Sequence, residues 1–172
     1  MRLGNSRWHV LRRRAQQNPL MVAGLVVCLV WVLISLDADR LAPADPMRQS
    51  VMERLQAPSA QHLFGTDQLG RDVLSRVLYG GRTSLPAGVL VITSATLVGT
   101  IFGALAGYVG GLWDELLMRF TEIFMAFPII ILAMAIAAAL GPSVNNAVIA
   151  MSIVWWPNYA RIVRSLVVSV KA

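Results

Sequence analysis

Long stretches without a single charged side chain alternate with short polar segments along this chain of 172 residues. Leu20–Leu36 is a run of 17 almost purely apolar residues. At about 1.5 Å per residue a helix of that length reaches about 26 Å, which is close to the thickness of the hydrocarbon core of a bilayer. Thr83–Trp113 adds 31 uncharged residues and Ile123–Ala160 another 38. The pattern predicts several helices that enter a membrane.

The first run has two interpretations, a transmembrane helix or a cleaved signal peptide. The residues that follow it, Asp37-Ala38-Asp39, supply no cleavage site with small side chains, and the run is longer than a typical signal-peptide core. The sequence therefore favours an uncleaved first span.

The second predicted span lies within Leu85–Val109 and contains small residues at every fourth position. Residues at this spacing line one face of a helix, and small residues allow another helix to approach closely in lipid. We interpret them either as a packing stripe within this subunit or as a seam against a partner subunit. This glycine stripe consists of Ala95, Gly99, Gly103, Gly107 and Gly111.

The last uncharged stretch is too long for one helix. The segment 141–146, Gly-Pro-Ser-Val-Asn-Asn, is expected to break it into a third span, Ile123–Leu140, and a fourth that begins at Ala147. The fourth span continues past Arg161, whose guanidinium snorkels to the surface. Gly110–Glu122 is expected to be a short turn. Four spans result, so both ends of the chain lie on one side of the membrane.

The polar connection from Asp37 to Arg82 contains six arginines and six acidic residues, so its net charge is zero. Within it, apolar residues recur at helical spacing from Val73 to Leu78, which predicts a short amphipathic helix along the membrane interface. Asp72 and Arg76 are spaced for an i,i+4 ion pair on that helix.

Composition agrees with a membrane protein: 56% of the residues are hydrophobic and only 14% are charged. The net charge of +6 comes largely from arginines that precede the first span. Such a cluster favours a cytoplasmic N-terminus, whereas a nucleic-acid-binding face would need interleaved aromatic residues, which do not occur. The arginines in question are Arg2, Arg7, Arg12, Arg13 and Arg14.

The sequence contains no pattern typical of an enzyme. Cys28 is the only cysteine, so neither a disulfide framework nor a cysteine-rich metal site can form within the chain. His9 and His62 fall on opposite sides of the membrane in the predicted topology. The single lysine, Lys171, is not preceded by a glycine-rich phosphate loop. We therefore expect no bound cofactor, no metal site and no catalytic residues.

Two prolines inside predicted spans, Pro128 and Pro157, remove backbone hydrogen bonds and are expected to kink their helices. Trp155 and Trp156 lie deeper in the fourth span than an aromatic belt would. Together with Pro157 they either line a passage or pack against neighbouring helices.

Three ordered blocks carry a resemblance to a known family: GTDQLGRDVLSRVLYGGRTSL, YVGGLWDELLMRFTEIFMAFP and LGPSVNNAVIAMSIVWWPNYARIVRS. They closely resemble the C-type permease subunit of bacterial dipeptide/oligopeptide ABC importers. The resemblance implies an all-α, polytopic membrane helix bundle of the type I importer fold, with four of about six spans present. It also implies a multi-pass protein of the bacterial inner membrane.

The resemblance implies partners as well: a sister permease, two cytoplasmic ATPase subunits that bind ATP, and an external solute-binding protein, with no nucleic acid. It divides the chain into 1–60, with the accessory first helix; 61–82, an external signature with the amphipathic helix; and 83–172, the beginning of the permease domain. Peptide is expected to pass between the two permeases.

Several residues match the family's motifs. In the external signature, which is either a structural brace or a contact for the binding protein, they are Gly65, Thr66, Asp67, Gly70, Arg71 and Asp72. In the inward turn they are Gly110, Gly111, Asp114, Met118 and Arg119, followed by Glu122 where the family usually has aspartate. In the block that closes the fourth span they are Pro157, Tyr159, Ala160, Arg161 and Arg164.

Family members continue beyond the position of Ala172 with a Glu-Ala-Ala loop that docks the ATPase, so we expect a truncated permease that does not couple ATP hydrolysis to transport as it stands. The cargo stays open among peptides, nickel, glutathione and cationic peptides. A membrane scaffold that moves no solute is the alternative from another class, and a membrane enzyme would need catalytic residues that the sequence lacks.

Overall fold

The computed structural model describes residues 18–171, all-α apart from loops, as two compact units, one ending at Ser84 and the other beginning at Leu85. The N-terminal arginines and His9 lie outside the described residues. The helices are α1 (Pro19–Leu36), α2 (Ala38–Leu41), a 3-10 turn (Val51–Glu53), α3 (Val73–Val109), α4 (Gly111–Met125), α5 (Ile129–Leu140) and α6 (Val144–Lys171).

Helix α1 agrees with the predicted first span to within one residue. Pro19 begins it, at a position where the missing N–H removes no helical hydrogen bond. Its large apolar side chains, such as Leu25 and Val27, are mostly exposed, which is the state expected of a helix that faces lipid. By length and composition it is able to cross a membrane.

Helix α3 corrects the prediction of a separate amphipathic helix. The predicted interfacial segment and the second span form one continuous helix of 37 residues. Gly80 and Gly81 weaken a helix without ending it, and the helix continues through Pro86 although proline removes one backbone hydrogen bond. The part of α3 after Leu85 belongs to the second unit.

The predicted turn at Gly110–Glu122 is wrong, because this segment is helical. Helix α4 begins at Gly111 and ends at Met125, and the predicted third span is broken by Pro128, after which α5 begins. The axes of α4 and α5 are bent by 83°. Proline has no N–H to donate and its ring clashes with the preceding turn, which kinks or breaks a helix. The helix is broken at Pro128, whereas α3 and α6 continue through Pro86 and Pro157.

The four-span count is not reproduced by helix length and composition. Within residues 18–171 two helices, α1 and α3, are long and apolar enough to cross a membrane, and the bent pair α4–α5 makes a third if it is one span. Helix α5 alone has 12 residues, or about 18 Å, which is too short. Helix α6 begins at Val144 rather than Ala147 and, as predicted, continues past Arg161. Its 28 residues include too many polar side chains for it to count as a span by composition.

The core of the second unit lies between α3, α4 and α6. Ala95, Trp156 and Ala160 are buried, and Phe102 and Phe124 pack against them. The Trp156 ring lies 4.8 Å from that of Phe102 and 5.5 Å from that of Phe124, measured between centroids. This cluster fixes how α6 packs on α3 and α4.

Candidate functional site

The signature segment, residues 62–85, folds around the Asp67 carboxylate. Its Oδ1 accepts hydrogen bonds from the N–H groups of Leu69 (2.8 Å) and Arg71 (3.0 Å), and its Oδ2 accepts from Arg71 Nε at 2.8 Å and from the Arg76 guanidinium. Although partial burial opposes ionisation, these donors hold the pKa of Asp67 below its usual range. The Asp67 carboxylate therefore holds this loop in its conformation through hydrogen bonds to Leu69, Arg71 and Arg76.

Asp72 performs a second structural task at the start of α3. Its Oδ2 accepts from the Ser75 N–H at 2.8 Å, the hydrogen bond of a helix N-cap, and from the Ser75 hydroxyl at 2.7 Å. His62 Nδ1 lies 2.9 Å from the other oxygen. Burial raises the pKa of Asp72, but these hydrogen bonds outweigh it and the pKa is lowered. The predicted Asp72–Arg76 pair does not form, because Arg76 binds Asp67 instead.

Thr66 and two glycines join the signature segment to the preceding loop. The Thr66 hydroxyl accepts from the Gln56 N–H at 2.9 Å and donates to the Glu53 carbonyl. Gly65 and Gly70 have φ of 73° and 72°, and a Cβ on Gly70 would lie 1.7 Å from the Ser50 carbonyl oxygen.

All six signature residues thus take part in the fold of their own segment, which favours the brace interpretation. Contact with a binding protein stays a prediction.

Arg82, which the sequence analysis missed, joins α3 to α2 through an ion pair and to the end of α1 through hydrogen bonds. The Arg82 guanidinium binds the Asp39 carboxylate at 2.8 and 3.0 Å, and also donates to the carbonyls of Ser35 (2.8 Å) and Leu36 (2.7 Å). The hydrogen bonds from Arg82 and then Tyr79 lower the pKa of Asp39 to about 2. The partners are 43 residues apart, so no local pattern could have revealed the pair.

The glycine stripe packs against α6. A Cβ on Gly99 would lie 2.6 Å from the Trp156 carbonyl oxygen, one on Gly103 would lie 2.3 Å from that of Ala160, and one on Gly107 would lie 3.0 Å from that of Arg164. Only residues without a side chain permit this approach. Gly99, Gly103 and Gly107 therefore form a packing stripe within this subunit, since α6 covers them. A seam against a partner subunit at the other positions of the glycine stripe stays a prediction.

The turn between α3 and α4 directs Asp114 toward α6. Gly110 and Gly111 have φ of 72° and 56°, with open space where a Cβ would be, so glycine is needed for the backbone conformation rather than for room. The Asp114 carboxylate receives two parallel hydrogen bonds from Arg164, at 2.5 and 2.6 Å. Three elements of the chain therefore meet at this point.

The other residues of the predicted inward turn lie farther along α4. Arg119 makes one contact of 3.3 Å with Glu115 in the same helix, at the surface. Glu122 lines an open groove of about 680 Å³ between α4 and α6, together with Met118, Asn158, Arg161, Ile162, Arg164 and Ser165. Arg161 reaches the Met125 sulfur at 3.6 Å. The structure thus places Asp114 and Glu122 against different parts of α6.

The three residues predicted to line a pathway differ in exposure. Trp155 is 39% exposed, whereas Trp156 is 6% exposed and packs in the aromatic cluster, and Pro157 is fully buried. This geometry favours the packing alternative for Trp156 and Pro157. A role for Trp155 in lining a pathway stays a prediction.

In the part of the chain from residue 18 to residue 171, no three histidine, cysteine, aspartate or glutamate side chains lie close enough together to hold a metal ion. Cys28 is exposed on α1. The expectation that this chain carries no cofactor stays a prediction.

Two regions of the chain, one toward each end, match known families of transport permeases. Residues 99–171 match the model of the binding-protein-dependent transport system inner membrane component, and residues 6–58 match that of the N-terminal transmembrane domain of oligopeptide transport permease C. Residues 99–171 belong to the binding-protein-dependent permease family. The chain is thus a multi-pass inner-membrane protein, and this family is one of permeases rather than enzymes.

Three relatives are each 42% identical to this chain. The dipeptide transport system permease protein DppC of Alkalihalophilus pseudofirmus aligns over 96% of this chain and 55% of its own length. The probable D,D-dipeptide transport system permease protein DdpC of Escherichia coli (strain K12) aligns over 86% and 49%. The glutathione transport system permease protein GsiD of Shigella boydii aligns over 91% and 52%. The chain spans about half the length of the curated relatives it matches.

Proposed function

We propose that this chain supplies part of the transport pathway of an ABC importer for dipeptides and oligopeptides. The observation that carries the proposal is the alignment with a dipeptide permease over 96% of the chain at 42% identity. The alignment is long enough to include the signature segment, the glycine stripe and the α3–α4 turn together. A shared helix-packing stripe alone would not indicate transport, since small residues pack helices in many membrane proteins.

The partners that we propose are a sister permease, two cytoplasmic ATPase subunits and an external solute-binding protein. ATP would be bound by the ATPase subunits, and this chain would respond by alternating between inward-facing and outward-facing arrangements. The name of the family, which specifies dependence on a binding protein, supports this assembly. In it the peptide would pass between the two permeases.

We also propose that the N-terminus is cytoplasmic. The support is the charge distribution, with five arginines ahead of the first span and Arg161, Arg164 and Lys171 in the C-terminal half of α6, since basic residues favour the cytoplasmic side. In this orientation the signature segment is external and the α3–α4 turn faces the cytoplasm.

Uptake of a radiolabelled dipeptide by the source bacterium tests the proposal. We expect deletion of the gene to abolish the uptake that depends on the binding protein, and reintroduction of the gene to restore it. In proteoliposomes, the assembled transporter should hydrolyse ATP faster when loaded binding protein is added. Unchanged uptake after deletion, together with no stimulation by peptide, nickel or glutathione, would contradict a transport function and point to a scaffold.

Glutathione is the second candidate cargo, because a relative named as a glutathione permease is as similar to this chain as the dipeptide permease is. Competition distinguishes the two: unlabelled glutathione should not reduce dipeptide uptake by a peptide importer. If excess glutathione abolishes dipeptide uptake, or is itself taken up at a higher rate, the cargo assignment changes while the transport function stands. Nickel and cationic peptides are tested in the same competition.

A further inference from the structure

The Asp114–Arg164 ion pair lies where three helices of the second unit converge. On α3, a Cβ added to Gly103 would lie 3.0 Å from the Arg164 backbone nitrogen, and one added to Gly107 would lie 3.0 Å from the Arg164 carbonyl oxygen. The glycines of α3 therefore bring the backbone of Arg164 close, and its side chain reaches onward to α4. One residue of α6 thus contacts both neighbouring helices.

The geometry of the pair constrains direction as well as distance. The Arg164 guanidinium donates through Nε and Nη2 to the two oxygens of Asp114, and such a two-point contact fixes the plane of each group. The side chains are 38% and 20% exposed, so the pair is partly shielded from water. The Glu115–Arg119 pair on α4 differs, because it joins one helix to itself through one contact of 3.3 Å, with both side chains more than half exposed.

We propose that Asp114 and Arg164 form a positioning latch that makes α6 and the α3–α4 turn move as one body during the transport cycle. The inference rests on the proposed transport function. Two rigid junctions hold this body: the glycine contacts oppose separation of α3 from α6, and the two-point ion pair opposes rotation of α6 against α4. A displacement of α3, α4 or α6 is then accompanied by the same displacement of the other two helices.

A charge swap in the assembled transporter tests the latch. Asp114→Arg and Arg164→Asp should each reduce dipeptide uptake by about tenfold, and the double swap should restore most of it, because the ion pair re-forms in reverse. Arg164→Lys keeps the charge but loses the two-point contact. This variant should retain ATPase activity stimulated by the binding protein, at a normal amount of subunit in the membrane, while the uptake per ATP hydrolysed falls.

The control exchanges the charges of an exposed pair outside the family's motifs, Asp37→Arg with Arg40→Asp, and each single change there should leave uptake within about twofold of the wild type. The latch is refuted if the double swap is no better than the single variants, or if Arg164→Lys lowers uptake and ATPase activity in proportion. If the reversed charges remove the subunit from the membrane, the latch is tested with the milder variants Arg164→Lys and Asp114→Asn. In both, the uptake per ATP hydrolysed should fall.

A distance measurement separates failure of the latch from failure of the proposed cargo. Spin labels on Trp113→Cys and Val168→Cys, both at exposed positions, in a Cys28→Ser background report the α4–α6 distance in the nucleotide-free and ATP-bound transporter. The latch predicts one narrow distance in both states, and a broadened or shifted one in Arg164→Lys. A wild-type distance that changes between the states overturns the latch, whatever the transporter carries.

Discussion

Arg82 illustrates how much of this fold rests on single charged side chains close to the membrane. Its guanidinium makes four hydrogen bonds, two to the Asp39 carboxylate and two to carbonyl groups at the end of α1. The last carbonyls of a helix have no partner within it, so an arginine from a distant segment satisfies them. Arg82 therefore caps α1 and attaches it to the start of α3.

The pKa of Asp39 leads to a prediction about acid. The pKa is about 2 in the folded chain, below the value of about 4 expected when the chain is unfolded. A lowered pKa means that the stabilisation by Asp39 is complete above about pH 4 and is lost as the pH falls toward about 2. Asp39→Asn should lower the midpoint of thermal unfolding at pH 7, and this difference from the wild type should shrink below pH 4.

Thermal unfolding of the purified protein in detergent, followed from pH 2 to pH 7, measures this difference. Asp37→Asn is the control, because Asp37 makes only a 3.5 Å contact with Arg40, whose side chain is 84% exposed. That variant should resemble the wild type throughout. A gap between Asp39→Asn and the wild type that stays constant down to pH 2 contradicts the assignment.

Gly70 carries a second prediction at the scale of one residue. Gly70→Ala should lower the free energy of local unfolding of the signature segment by about 1–3 kcal/mol, because φ is 72° and the new methyl group would meet the Ser50 carbonyl. Amide hydrogen exchange of residues 50–72 should become roughly ten- to hundredfold faster. Gln61→Ala, at an exposed position within residues 50–72, should leave exchange unchanged. Exchange in Gly70→Ala that equals the wild type would count against the strained turn.

At the scale of elements, the sequence predicted best where one physical effect dominates. The continuous apolar run of α1 predicted its bounds within one residue, and the four-residue spacing of glycines predicted a close-packed face. The sequence could not show that α6 covers that face, because Gly103 and Ala160 are far apart in the chain. Residues 110–122 have the sequence of a turn, with two glycines and four charged side chains, yet the helix-forming residues after Gly111 continue as α4.

The contact between α3 and α6 is tested by adding one methyl group. Gly103→Ala would place a Cβ 2.3 Å from the Ala160 carbonyl oxygen, so the helices must separate, at a cost of about 1–3 kcal/mol in unfolding free energy. Gly88→Ala on the same helix meets nothing within 4 Å and should be neutral or stabilising by up to about 1 kcal/mol. Unfolding titrations in mixed micelles compare the two. Equal stability of the two variants would contradict tight packing at Gly103.

At the scale of the whole molecule, the path of α4 and α5 determines the topology. Their 83° bend is compatible with one broken span or with a re-entrant loop. In the proposed orientation the signature segment is external, and α3, which is long and apolar enough to span, crosses to the cytoplasmic side. A re-entrant α4–α5 would start α6 on the same side as the α3–α4 turn. If α6 then crossed, Arg161, Arg164 and Lys171 would end on the external side, against the preference of basic residues for the cytoplasm.

We therefore expect α4–α5 to cross, so that residues 141–143 lie outside. Cysteines introduced one at a time at Gln61, Ser143 and Ser169, in a Cys28→Ser background, can be treated in intact cells with a maleimide that does not cross the membrane. Gln61→Cys and Ser143→Cys should react, and Ser169→Cys should react only after the membrane is permeabilised. Since Gln61→Cys serves as the external reference and Ser169→Cys as the internal one, a Ser143→Cys that behaves like Ser169→Cys would establish the re-entrant path instead.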